Sequence, residues 1–246
     1  MTLLAAHLID SGILFTDGER ILCREPGFVL LEDEGLTSGR AAWASASLEP
    51  RRIQNRYWSD LRAEPLVDSR FRHLTAADLV SKQLEELWTR VSRPGDRLAL
   101  AVPGYMGTEN LGLLLGVAME LDIPVVAMVD AAVAATRRHY VNAVPVHVDL
   151  GLHSAMLTRL SQDGQVQFER SAVVDASGML SLYDVWLRLI AETFVQQSRF
   201  DPLHTAETEQ VLQDSILDWL QIAASKDSVS MNVVYRGISH DAEIES

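Results

Sequence analysis

The sequence predicts an α/β fold made of two halves, each a mixed sheet flanked by helices. Three observations carry this. Strand and helix patterns alternate through the middle of the chain, the order that parallel strands with helical crossovers produce. A second signal is a repeat: each half has a strand that ends on an aspartate two residues before a glycine, with a hairpin behind it. The composition is the third. With 246 residues, 48% of them hydrophobic and 22% charged, the chain is long and apolar enough to bury a substantial core.

The first copy of the repeat reads His7-Leu8-Ile9-Asp10-Ser11-Gly12-Ile13-Leu14-Phe15 and turns back at Asp17-Gly18. In the second, Val144, Val146 and Val148 lead to Asp149, Leu150 and Gly151, and the next strand reverses at Asp163-Gly164. Short strands are expected over residues 3–9, 13–15, 20–24 and 28–31. Residues 35–74 lack sustained periodicity and read as a loop-rich insertion within a first half spanning residues 1–142. They hold Arg51, Arg52, Arg56, Arg62, Arg70 and Arg72 beside Tyr57-Trp58. Such a basic and aromatic cluster suits RNA or a protein partner, yet arginines paired with nearby acids is the stronger expectation in so acidic a chain.

Thr75-Ala76-Ala77-Asp78 opens a helix with a capping-box pattern, striped by Val80, Leu84, Leu87, Trp88 and Val91 up to Pro94-Gly95. Residues 98–102 read as a strand buried on both faces, residues 108–121 as a helix, residues 125–129 as a second buried strand, and an alanine-rich helix starts near Ala131. The second half, residues 143–246, begins with the acidic hairpin. Helices at residues 181–198 and 205–224 follow, then a strand with Val229, Met231, Val233 and Tyr235 on alternate positions. The core stripe of the first of these helices is read as Leu182, Trp186, Leu189, Ile190 and Phe194.

Net charge of −13 argues against nonspecific nucleic-acid binding, which rests on Lys and Arg neutralising phosphates. One cysteine, Cys23, excludes an intrachain disulfide and a multi-thiolate metal site and fits a reducing compartment. The opening residues lack a basic n-region, and Pro124 and Asp130 interrupt the longest apolar run, residues 123–135. These readings place the protein in the cytoplasm, away from membranes. A zinc enzyme is disfavoured, because none of the seven histidines pair at helical ligand spacing.

The order of elements resembles the actin-like ATPase superfamily, nearest to the ATPase domain of the heat-shock seventy (DnaK-type) chaperones. Ala101-Val102-Pro103-Gly104-Tyr105 is similar to their Val-Pro-Ala-Tyr-Phe region, and residues 121–135 are similar to their Asn-Glu-Pro-Thr-Ala-Ala-Ala segment. The resemblance implies a duplicated ribonuclease-H-like fold that binds ATP and Mg²⁺ between two hairpins. Asp10, Ser11 and Gly12 would lie on the first phosphate hairpin and Asp149, Leu150 and Gly151 on the second. Asp10 and Asp149 would hold hydrated Mg²⁺, with Asp149 and Asp130 as the catalytic pair and Asp130 orienting the attacking water.

Departures from the family pattern limit that expectation. Where the family has small and hydroxylated residues, this chain has Ile13, Leu14, Leu152 and His153. The adenosine-binding motif lies beyond anything present, so the second half reads as truncated. ATP hydrolysis by these residues alone is therefore expected to be weak or absent. The alternative is a catalytically degenerate actin-like scaffold that serves as a protein-interaction module for a protein partner or client. The plainest reading of Asp10 and Asp149 is as turn carboxylates that cap nearby N–H groups.

Overall fold

A computed structural model describes residues 1–245. The fold is mixed α/β, with several sheets flanked by helices, and its residues group into two compact units. The first comprises Met1–Trp43 and Gln54–Met179, the second Ala44–Ile53 and Leu180–Ser246.

The first unit opens with β1 (Leu3–His7), β2 (Ile13–Thr16) and β3 (Ile21–Glu25), an antiparallel meander. The hairpin β4 (Val29–Glu32) and β5 (Gly35–Ser38) and a single turn of helix, α1 (Arg40–Trp43), come next. The short β6 (Ile53–Gln54) falls where the chain passes back into the first unit. Residues 57–74 contain a 3₁₀ turn, Ser69–Phe71, and bury Tyr57, Trp58, Leu61 and Phe71.

Helix α2 (Ala76–Val91) starts at the box read from the sequence: Thr75 Oγ1 accepts from Asp78 N–H at 3.1 Å, and Asp78 Oδ2 accepts from Thr75 N–H at 2.7 Å. It leads into β7 (Arg97–Val102), α3 (Thr108–Glu120), β8 (Val125–Asp130) and α4 (Ala131–Ala135). Five strands form one mixed sheet in the order β3-β2-β1-β7-β8, with β1, β7 and β8 parallel. β7 is an interior strand, between β1 and β8, and Val102 is buried. β8, expected to be covered on both faces, is instead the edge strand and leaves Val126 and Val129 exposed. An unbroken apolar run does not distinguish a central strand from an edge.

The first unit ends with β9 (Val146–Leu150), β10 (Ser154–Ser161) and β11 (Gln167–Asp175), a wholly antiparallel sheet in the order β11-β10-β9. The five-stranded sheet is mixed, whereas the sheets at residues 143–245, β11-β10-β9 and β12-β13, are antiparallel throughout, so the expectation of a mixed sheet in each half holds for the first alone.

The second unit holds α5 (Met179–Ser198) from Leu180 onward, α6 (Ala206–Ala223) and the hairpin β12 (Ser228–Tyr235) with β13 (Ile238–Glu245). Thr205 caps α6, and Leu187, Ile190, Phe194, Leu212, Ile216, Val229, Met231 and Val233 are buried. On α5 the buried set is Tyr183, Leu187, Ile190, Ala191 and Phe194, whereas Leu182, Trp186 and Leu189 are exposed. This helix is apolar on nearly every side, so spacing alone did not fix its phase. Strand β13 had no counterpart in the sequence reading. Arg236 and Gly237 both have positive φ, 50° and 79°, as a two-residue hairpin turn requires.

The arginine cluster is accounted for in part by local acids: Arg62 pairs with Asp60 at 2.9 Å, Arg70 with Asp68 at 2.7 Å and Arg52 with Glu49 at 3.6 Å. Its aromatics belong to the core. Gln83 Oε1, fully buried on α2, accepts from Tyr57 Oη at 2.6 Å and Trp58 Nε1 at 2.7 Å, and its amide donates to Pro26 O at 2.8 Å. Gln83→Leu keeps the volume and orphans all three groups. At about 1–3 kcal/mol for each unmet buried group, the expected loss is about 3 kcal/mol or more. Urea unfolding checks it, and a loss below about 1 kcal/mol would show that the network contributes little.

Candidate functional site

The β1–β2 turn and the β9–β10 turn lie against each other. The first is held locally, with Gly12 N–H donating to Ile9 O at 3.0 Å and Gly27 N–H to Asp10 O at 2.7 Å. In the second, Gly151 N–H donates to Ser154 O at 2.9 Å, closing a tight reversal between Leu150 and Ala155. Two hydrogen bonds join them: Asp10 Oδ1 accepts from Leu152 N–H at 2.8 Å, and Ser11 Oγ donates to Leu150 O. The approach is close enough to demand glycine. A Cβ at Gly151 would sit 2.9 Å from Asp10 Oδ1 and 3.2 Å from Ser154 O.

Asp10 is 4% exposed and Asp149 7%. Burial raises the Asp10 carboxyl above the usual carboxylate range, and the hydrogen bond from Leu152 and the more distant Arg56 charge pull it back only in part. Asp149 Oδ1 meets His147 Nε2 at 3.0 Å, and His7 Nε2 lies 3.9 Å from the same oxygen. Burial lowers the His7 imidazole, opposed by the Asp149 charge, with His147 and Arg24 adding to the lowering. Tyr105, from the Val-Pro-Gly-Tyr turn after β7, completes the cluster. Its phenol is pushed up by burial and by the Asp10 and Asp149 charges, so it stays protonated.

Asp149 Oδ2, His7 Nε2 and the Tyr105 hydroxyl are buried with no hydrogen-bond partner among the described residues. His7 and Tyr105 were given no role from the sequence. The parallel positions of His7 and His147 before the two acids were the available signal.

Asp130 lies beside the turn that carries Tyr105, its Oδ2 3.0 Å from where a Cβ at Gly104 would sit. Its Oδ1 accepts from Ala132 N–H at 2.9 Å and Val133 N–H at 3.2 Å, capping α4. The bulky residues of the hairpins are built into the packing. Ile13 and Leu152 are buried, and His153 Nε2 meets Asn55 O at 3.2 Å and Asn55 Oδ1 at 3.0 Å.

As arranged, groups in these turns that a nucleoside triphosphate would use are already engaged within the chain. The Leu152 N–H points at Asp10, and the space over Gly151 is taken by the Asp10 carboxylate. Asp149 spends one oxygen on His147. Among the described residues, no group of three or more His, Cys, Asp or Glu side chains is arranged to hold a metal ion.

Compared with protein-family models and with curated proteins, the chain finds no match. Among the described residues no helix is long and apolar enough to cross a membrane.

Replacing Asp10 separates its hydrogen bond from its charge. Asp10→Ala leaves Leu152 N–H without its acceptor and is expected to cost about 1–3 kcal/mol; Asp10→Asn retains an amide oxygen there and is expected to cost less. Because the folded-state carboxyl lies above its unfolded value near 4, the folded chain holds an extra proton between the two values. The Asp10 contribution to wild-type stability therefore falls as pH rises through that window and levels off above it. The difference between Asp10→Asn and wild type should move in favour of Asn over the same window. Urea midpoints across a pH series test this, and a pH-independent difference would contradict it.

Proposed function

We infer that the chain is a catalytically degenerate member of the actin-like ATPase superfamily, nearest the heat-shock seventy chaperones, whose former phosphate hairpins now brace the scaffold of a protein-interaction module. The observation that carries this reading is the buried Asp10 carboxylate on the Leu152 N–H. Two hairpins that bind phosphate offer backbone donors to a ligand, whereas here a side chain of the opposite hairpin takes that donor. Support for the family comes from the strand order β3-β2-β1-β7-β8, with its antiparallel meander followed by parallel crossovers, and from the two acidic turns lying together. Asp130 as a helix cap agrees with lost chemistry, since both of its donors are backbone N–H groups.

A second reading keeps ATP and Mg²⁺ as ligands. Its support is the trio of buried, unpartnered polar atoms on Asp149, His7 and Tyr105, which a polar guest would satisfy. That reading requires the two turns to separate first, breaking the Asp10 and Ser11 hydrogen bonds.

Calorimetric titration with Mg-ATP and a phosphate-release assay decide between them. The interaction-module reading expects no saturable heat up to about 1 mM ATP, an affinity bound of about −4 kcal/mol, and no turnover. Micromolar binding, with phosphate release abolished by Asp149→Ala, would overturn it.

A further inference from the structure

We propose that the free edge of β9 is a docking site for an extended, acidic-ended apolar segment of a partner polypeptide, which adds to the β9–β11 sheet as a further strand. The proposal rests on the interaction-module reading and names the surface and the chemistry of the partner.

β9 pairs with β10 along one edge, and no strand pairs with its other edge among the described residues; Ser11 Oγ donates to Leu150 O at the C-terminal end, which leaves residues 146–148 for an incoming strand. A row of backbone N–H and C=O groups on such an edge is best satisfied by another extended backbone. Natural edges are usually blunted by charges, bulges or proline within the strand. β9 has none of these on its outward face: Val146, Val148 and Leu150 are 55%, 53% and 40% exposed, while His147 and Asp149 point inward. The register continues the apolar face across the sheet, since Val148 lies opposite Leu157 and Leu150 opposite Ala155, which in turn faces Val174. Leu157 and Val174 are exposed too. Alternating apolar side chains on an incoming strand would cover this face at the period of two that a sheet imposes.

The charge at one end selects the partner. Residues 136–145 lead into the N-terminal end of β9 and are pinned there by Tyr140 N–H to Gln162 Oε1 at 2.9 Å and by the Gln162 amide to Arg138 O at 2.6 Å. This segment presents the exposed Arg137 and Arg138. Neither side chain has an ion-pair partner among the described residues, in a chain of net charge −13. Beside them a groove of about 390 Å³, lined by Thr136, Tyr140, Val144, Val146 and His147, offers room for a side chain of the incoming strand. A second copy of this chain is a poorer occupant. Antiparallel pairing of β9 with itself would set Arg137 and Arg138 of each copy near the other's Leu150 end, where the acids Asp10 and Asp149 are buried.

The test uses two fluorescein-labelled peptides, Val-Thr-Val-Thr-Val-Asp-Glu-Glu and its reverse, titrated with the full chain and read by fluorescence anisotropy. One of the two, according to strand direction, is expected to bind saturably. Methylating its backbone nitrogens at alternate residues, in both phases, should weaken binding about tenfold or more in one phase, because the lost donors are those that face β9. Val148→Lys should weaken binding by a similar factor, as should Arg137→Glu with Arg138→Glu at low salt, the latter effect shrinking as salt is raised. Circular dichroism and urea midpoints confirm that the variants fold, and the arginine pair, fully on the surface, serves if Val148→Lys does not. No binding by either peptide, equal binding of both methylated forms, or folded variants that bind like wild type would overturn the proposal. So would a wild-type dimer in light scattering that Val148→Lys dissolves. A Mg-ATP titration of the same samples is read independently: peptide binding together with ATP binding would keep the surface and overturn the closed-hairpin reading.

Discussion

The fold of the first unit converges on a single hydrogen bond, from the Leu152 N–H to the Asp10 carboxylate, which links residues 142 positions apart in the chain. An ionised carboxylate away from water is costly unless its oxygens find donors, and a turn N–H is costly unless it finds an acceptor. Each group answers the other. That pairing requires the β1–β2 turn and the β9–β10 turn to meet at backbone distance, which in turn requires no side chain at Gly151. The sheets behind the turns supply the rigidity. β1 is clamped between β2 and β7, and β9 is registered on β10 from Val146 to Leu150.

The same geometry explains why bulky residues are tolerated where a phosphate site would need space. With the turns in contact, Ile13 and Leu152 become core side chains, and His153 finds a partner in Asn55. Small residues at these places would leave cavities, each costing stability in proportion to its volume. Three of the buried polar atoms left unmet among the described residues gather at Asp149, His7 and Tyr105. That residue of unsatisfied polarity is the part of the arrangement that packing alone does not account for.

Much of the architecture was legible because it is written in local patterns. The Thr75–Asp78 box, the helical stripe of α2 and the Asp-Gly reversals each depend on neighbours a few positions away. Strand β13 was not legible, because Ile238–Glu245 is largely polar and gains its place from pairing with β12 across the Arg236-Gly237 turn. The phase of α5 and the edge position of β8 depend on what covers them, which no window of sequence records. At the site, the repeat of strand, aspartate and glycine marked two turns that the fold sets side by side. The hydrogen bond between them was hidden, because nothing local to Asp10 encodes Leu152. Asp130 illustrates the converse: a carboxylate just before an alanine-rich helix stands in a cap position, and in the structure its side chain caps α4.

The central claim, that Asp10 holds the second hairpin closed by taking its backbone donor, is tested most directly by amide hydrogen exchange at Leu152. In the wild-type chain this amide is buried and hydrogen-bonded, so it should exchange slowly, through opening of the two turns. In Asp10→Ala it should exchange faster by about one to two orders of magnitude, following the loss of about 1–3 kcal/mol, while amides in the centre of β10 change less. Rapid exchange of Leu152 in the wild type, or protection unaltered by removing the carboxylate, would contradict the account.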